Sequence, residues 1–397
     1  KENTIVQKTV YSILFSIGFA HLLNDLMQMV IPSSFPLLKA NFNLSFTEIG
    51  FIAFVFQLTA SILQPFVGFY TDKKPKPYSL VIGMIFTITG LVFLSLSTSF
   101  WMILLSVSFA GIGSSIFHPE ASRVAFLGSG GKRGLAQSIF QLGGNAGSAI
   151  GPLLVALIVA PNGQSYIILF VLAGVLGIIV LSRIAIWYQN HLNLLATKKI
   201  FHDDEVVPLS KRKVTISIAI LLTLIFSKYF YMASMSNYFT FYLIDKFGLS
   251  VQDSQFYLFA FLAAVAAGTL IGGPLGDRFG RKYIIWISIL GCAPFTLLLP
   301  YADLFWTGVL AVIIGVILAS AFSAILVFAQ ELMPGKVGMI SGLFFGFAFG
   351  IAGIGSALLG YLADHTSIEY VYQISSFLPL IGVIAYFLPN LNKKKRI

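Results

Sequence analysis

Cysteine is almost missing from this chain. Its single copy in 397 residues, Cys292, rules out an intrachain disulfide framework and a cysteine-ligated metal site. Charge is scarce too: Asp, Glu, Lys and Arg make up 10% of residues against 57% hydrophobic ones, and a mean hydropathy of +0.89 excludes a soluble chain. Enzyme signatures are lacking. The histidines have no H-E-x-x-H spacing, there is no Walker loop, and no stretch can hold a nucleotide-binding domain. No enzymatic activity, cofactor or metal is therefore expected, and any work must draw on an ion gradient or on the substrate itself. No charged n-region followed by a short apolar core and a cleavage site opens the chain, so no removable signal peptide is expected.

What the chain has is apolar runs long enough to cross a bilayer. Helices satisfy their own backbone groups in lipid, so the expected class is an all-α membrane protein. The runs fall near 10–38, 47–70, 78–98, 101–126, 134–160 and 165–188, then near 213–244, 253–276, 283–300, 304–332, 337–362 and 368–389. These twelve transmembrane helices divide into six-helix bundles at 1–189 and 213–397, joined by a polar linker at 190–212. With both termini on one side, that side collects Lys73, Lys74, Lys76, Lys132, Arg133, the linker lysines, Arg278, Arg281, Lys282, Lys336 and the basic tail. The other side holds Lys39 and Lys246 among Asp253, Asp303, Asp364 and Glu369. Positive charge stays inside, so both termini are expected in the cytoplasm. The net charge of +10 then reads as an orientation signal, and no nucleic-acid partner is expected.

The halves repeat. After the second run the chain reads G-F-Y-T-D from Gly68 to Asp72, then a lysine cluster; after the eighth it reads G-P-L-G-D-R-F-G-R-K over 273–282. The two aspartates are 205 residues apart (277 − 72), about half the chain. Glycine steps recur as Gly143, Gly147 and Gly151-Pro152 in the fifth run and as Gly338, Gly342, Gly346 and Gly350 in the eleventh. A duplicated six-span unit is the mark of a transporter with pseudo-symmetric halves.

On these motifs the chain resembles the major facilitator superfamily over essentially its whole length. The 273–282 loop matches that superfamily's cytoplasmic motif at every defined position; the first-half copy has Lys73 in place of Arg and lacks the later Gly-Arg pair. The segments G-F-A-H-L-L-N-D in the first run and G-I-G-S-S-I-F-H-P-E-A-S-R from Gly111 in the fourth look like the fosmidomycin-resistance group. That resemblance implies twelve helices in two pseudo-symmetric bundles and proton-coupled export of small toxic compounds from a bacterial cytoplasm across the inner membrane; a monomer is expected, with fosmidomycin-like phosphonates and generic hydrophobic drugs both open as substrates. Two departures stand beside it. Many drug–proton antiporters of the superfamily carry an Arg just before the fourth-span G-x-G, where this chain has Val107 to Ala110 without one, and Val155-Ala156 stands where the fifth-span motif has paired glycines.

Several side chains can carry the chemistry. His21, Asn24, Asp25 and Gln28 stand at offsets 0, 3, 4 and 7 of the first run, on one helical stripe. An ionisable group at membrane depth is expensive and normally faces a bundle interior or a wet cavity. Asp25, about 22 Å along its helix, is the first choice for a proton carrier, against a structural hydrogen-bond partner. His118 and Glu120 flank Pro119 in the fourth run and either relay protons or, with Arg123, form an interfacial ion pair. Lys228 mirrors Asp25 in the seventh run (228 − 25 = 203) and shares a stripe with Tyr231; it reads as a salt-bridge partner of Asp25, an anchor for an anionic substrate, or a snorkelling lysine. Gln57, Gln137, Gln141 and Asn145 can bind substrate or neighbouring helices, and Tyr238 is a cavity candidate. Gating is expected of Gly68, Asp72, Gly273, Asp277, Arg278, Gly280 and Arg281, where a carboxylate can meet a facing helix N-terminus. Gly147, Gly151 and Pro152 are grouped with them as gating positions, either packing helices closely or marking where helices slide. A proton-coupled importer and a membrane ligand sensor remain open as other functions for the same parts.

Overall fold

Several helices of this protein begin at a serine or an aspartate. The side-chain oxygens of Ser45, Ser99, Ser250, Asp303 and Ser367 accept hydrogen bonds from the backbone of Glu48, Met102, Asp253, Trp306 and Tyr370, and the Glu48 side chain returns a bond to complete a capping box. The computed structural model describes residues 9–197 and 210–389, without the side chains of 195–197, of 272–274 and of Asp277. The linker residues Lys198, Lys199, Asp203, Asp204 and Glu205 and the basic tail at 393–396 lie outside the described residues.

Among the described residues there is no strand. The spans in the first half are α1 Tyr11–Phe42, α2 Phe46–Lys73, α3 Ser79–Ser95, α4 Phe100–Gly128, α5 Arg133–Asn162 and α6 Gln164–Leu194. The second half has α7 Lys211–Phe247, α8 Val251–Phe279, α9 Arg281–Tyr301, α10 Leu304–Leu332, α11 Val337–His365 and α12 Ile368–Phe387. Each expected run thus has its helix. Eleven are long enough and apolar enough to cross a membrane, and α3 is shorter at 17 residues. Several are interrupted: a bend at Ser34 follows Pro32 in α1, and a π-turn at Val155–Val159 follows Pro152 in α5. A proline removes one N–H from the ladder, and such breaks survive in lipid only where neighbouring groups take up the freed backbone.

Close approach is built with glycine. A Cβ at Gly143 of α5 would fall on the Gly18 carbonyl of α1, and one at Gly147 on the Leu22 carbonyl. The halves meet along α2 and α11, which run antiparallel. A Cβ at Gly68 would fall on the Gly338 carbonyl, and one at Gly342 would stand 2.5 Å from the Gln64 carbonyl. Each helix of this pair ends in an aspartate that caps the start of the other. At the end carrying Lys73, Lys132 and Lys336, Asp72 accepts from the backbone of Gly338 at 3.2 Å and Met339 at 2.8 Å. At the opposite end Asp364 accepts from Phe46 at 3.2 Å, from Thr47 at 2.7 Å and from its hydroxyl at 2.5 Å. On the other flank α8 touches the first half through Asn145 to Thr269 at 2.5 Å and Gln255 to the Ser33 carbonyl at 3.1 Å.

Candidate functional site

A cavity of about 170 Å³ lies between the halves. Its two walls differ in chemistry. The first half supplies His21, Asp25 and Gln28 from α1, Gln57 from α2, His118 from α4, and Gln141 and Asn145 from α5, beside the apolar Met29, Pro32 and Phe56. The second half supplies Tyr229, Met232, Ser236 and Asn237 from α7, Leu262 and Val265 from α8, and Phe345 and Phe349 from α11. One wall is thus rich in ionisable groups and amides, the other in aromatic and aliphatic surface.

Asp25 sits between two imidazoles. His21 Nε2 is 3.2 Å from Asp25 Oδ2, and His118 Nε2 is 3.6 Å from Oδ1. His21 is one helical turn from Asp25 on α1; His118 arrives from α4 at the helix interior around Pro119. Both rings are buried, at 2% and 1% exposure. Phe140 stacks on His21 with centroids 4.0 Å apart, and Phe345 and Phe349 approach His118 at 5.2 and 5.0 Å. A charged imidazole gains from aromatic faces at such distances. Asn24 turns away from the cavity and donates to Asp25 Oδ1 at 3.0 Å. Gly144 makes room for the cluster, since a Cβ there would stand 2.7 Å from Asp25 Oδ2.

Between the cavity and the basic end come two polar layers. In the first, Ser122 donates to Gln137 at 3.2 Å and meets Ser341 at 3.1 Å, and Gln330 reaches Ser341 at 3.1 Å. In the second, Arg123 contacts Asp72 at 2.5 Å and Glu120 at 3.4 Å, and donates to the Thr71 carbonyl. Glu120 is fully buried there, with Ser79 at 3.4 Å. His118 and Glu120 are therefore not brought together. Two residues apart on a helix means about 200° of rotation, so one faces the cavity and the other the Arg123 layer.

Lys228 is not brought to Asp25. It is buried at 5% exposure, its ammonium 5.6 Å from the Tyr229 ring and 5.4 Å from Phe322, and among the described residues it has no ion pair. Lys228 and Tyr231 lie outside the cavity lining, and so does Tyr238, which donates to the Ser356 carbonyl at 2.6 Å. The cavity face of α7 is shifted by one position, to Tyr229, Met232, Ala233, Ser236 and Asn237, the i, i+3, i+4, i+7, i+8 pattern of a helical stripe. Gly147 and Gly151 pack α5 on α1 away from the cavity, Gly151 close to Met29. Of the second motif, Arg281 pairs with Glu331 at 2.6 Å, Arg278 lies 5.2 Å from the Phe279 ring, and Gly280 has φ +99°, a turn that favours glycine. Gly273 and the Asp277 side chain lie outside the described residues. Sequence reading missed Gly144, Tyr229, Asn237, Phe345, Phe349 and Asp364.

Twelve helices in two pseudo-symmetric six-helix bundles around a central cavity define a membrane transporter class. The Major Facilitator Superfamily model matches residues 17–354 and 222–397, and the chain belongs to that superfamily. The fosmidomycin resistance protein of Escherichia coli (strain K12) is 59% identical over 390 residues, covering 98% of this chain and 95% of that protein. The uncharacterized MFS-type transporter YfnC of Bacillus subtilis (strain 168) is 44% identical over 395 residues, covering 98% and 96%. The crystal structure of FucP, a superfamily transporter in the outward conformation, shares the fold with a TM-score of 0.68 at 13% identity, covering 97% of this chain and 100% of that one.

Proposed function

We propose that this transporter is a drug–proton antiporter that exports small toxic compounds by alternating access, with fosmidomycin-like phosphonates as the first substrate class to try. The observation that carries the reading is Asp25, lodged between His21 and His118 on the wall of the central cavity. A carboxylate and two imidazoles at membrane depth can hold and release a proton as access changes sides. The resistance named for the E. coli relative favours export over import. In this reading the protein is a monomer of the bacterial inner membrane with both termini in the cytoplasm. The bundles are 1–189 and 213–397, and Asp72 closes the cytoplasmic side. Gln28, Gln57, Gln141 and Asn145 offer hydrogen bonds to a polar head, and the aromatic wall takes the apolar part.

The test is internal pH in proteoliposomes on addition of fosmidomycin or a neutral drug, comparing wild type with Asp25→Asn. Drug-dependent proton movement in wild type and its loss in the variant are expected. Substrate flux without proton movement would overturn the coupling, and proton movement in the same direction as the drug would make the protein a symporter.

A further inference from the structure

The two imidazoles of the cluster are oriented as metal ligands are. A carbonyl oxygen can only accept, so the 2.7 Å contact with Phe140 O places a proton on His21 Nδ1, while His118 Nδ1 meets both the Ser114 carbonyl at 3.0 Å and the Ser114 hydroxyl at 3.1 Å. In the neutral His21 ring the Nε2 lone pair then faces Asp25 Oδ2 at 3.2 Å, and His118 Nε2 faces Oδ1 at 3.6 Å, bare in the tautomer that donates to the Ser114 carbonyl. His21 Nε2 is buried, and it faces Asp25 Oδ2 at 3.2 Å without a well-formed hydrogen bond. Three bases converging on one point repel one another unless a cation stands among them. A proton is one such cation and a metal ion is the other.

We propose that His21 Nε2, His118 Nε2 and the Asp25 carboxylate bind one divalent transition-metal ion of the Zn²⁺, Co²⁺ or Ni²⁺ class. The donor atoms lie within 4.8 Å of one another. Bonds of about 2.0–2.1 Å set ligand atoms roughly 3.3 Å apart around a tetrahedral ion, close to the two separations from Asp25. Histidine ligands characteristically give their other ring N–H to a carbonyl, as His21 does to Phe140, and the Ser114 carbonyl stands in reach of His118 Nδ1. Two imidazoles and one carboxylate suit these ions over Mg²⁺ or Ca²⁺, which take oxygen ligands. Three protein ligands leave a fourth position toward the cavity, where an anionic oxygen of a bound solute can complete the shell. The site requires neither proton coupling nor export, so it stands apart from the proposed transport direction.

The experiment titrates the full-length protein, purified in detergent through a tag free of histidine, with Co²⁺, following its visible d–d absorption and displacement by Zn²⁺. One Co²⁺ per chain is expected in wild type, weakened about 100-fold or more in His118→Gln and in the isosteric Asp25→Asn. The variant with His191, His202 and His365 all changed to Ala is expected to bind as wild type does. No band in wild type would overturn the site. So would a band that persists in both cavity variants or vanishes with the other three histidines.

Discussion

A Cβ added at Gly144 would stand 2.7 Å from Asp25 Oδ2 and against the His21 ring, whereas one added at Gly143 would meet the Gly18 carbonyl. The neighbours therefore fail differently. Side chains give more readily than backbone, so Gly144→Ala is expected to leave the protein folded and lower drug-driven proton flux at least tenfold, as read in proteoliposomes. Gly143→Ala forces α1 and α5 apart, and overpacking of this kind costs about 1–3 kcal/mol, visible as a lower melting temperature in detergent. Lys228 tests the opposite case, a buried cation facing aromatic rings instead of a carboxylate. Replacing a buried amine that has no ion pair among the described residues by an apolar side chain removes a desolvation cost, so Lys228→Met is expected to keep or raise the melting temperature and to leave phosphonate and neutral-drug KM within about twofold. Loss of phosphonate transport alone would restore the anion-anchor role. The polar stripe of α1 was legible in sequence because offsets of 3 and 4 fix a face whatever surrounds it. The matching stripe of α7 was misplaced by one position, because a charged residue was assumed to mark the wet face. Gly144 was hidden among many glycines, since its value lies in which side chains it admits.

At the scale of elements, α2 and α11 link the two ends of the contact between the halves. The positive end of a helix dipole favours a carboxylate by about 0.3–1 kcal/mol, and by about 2 in partly buried geometry. Asp72 also holds Arg123 at 2.5 Å. Asp72→Asn is therefore expected to open the basic end, and Asp364→Asn to open the other. The reporter is a cysteine at Ser341→Cys, buried near the start of α11, in a Cys292→Ser background. Its labelling by a membrane-impermeant maleimide should rise about fivefold with Asp72→Asn, matching about 1 kcal/mol, and fall with Asp364→Asn. Equal rates in all three would remove the gating role. The helices themselves were plain in the sequence, since apolar length alone defines a span. Asp72 was legible from its motif; Asp364 was not, because its role depends on α2 starting beside it across 317 residues of sequence. The π-turn after Pro152 has no such signature either.

At the scale of the molecule, the halves touch along α2 with α11 and along α5 with α8, so the linker need not hold them together. Cleavage at a protease site inserted between residues 198 and 209 is expected to leave co-purifying halves and at least half of the transport rate; separation of the fragments on a sizing column would show that the covalent link is needed. The split lining of the cavity has a further consequence. The charged groups and most amides belong to one bundle and most aromatic rings to the other, so in the proposed alternating-access cycle a bound solute acts as a strut between the two bodies. In that cycle a purely greasy molecule meets mostly one body and a purely ionic one mostly the other, and each ties them weakly. Selection then falls on two-faced molecules, those with a polar head and an apolar flank, and a resistance spectrum ordered by that property rather than by size is its signature.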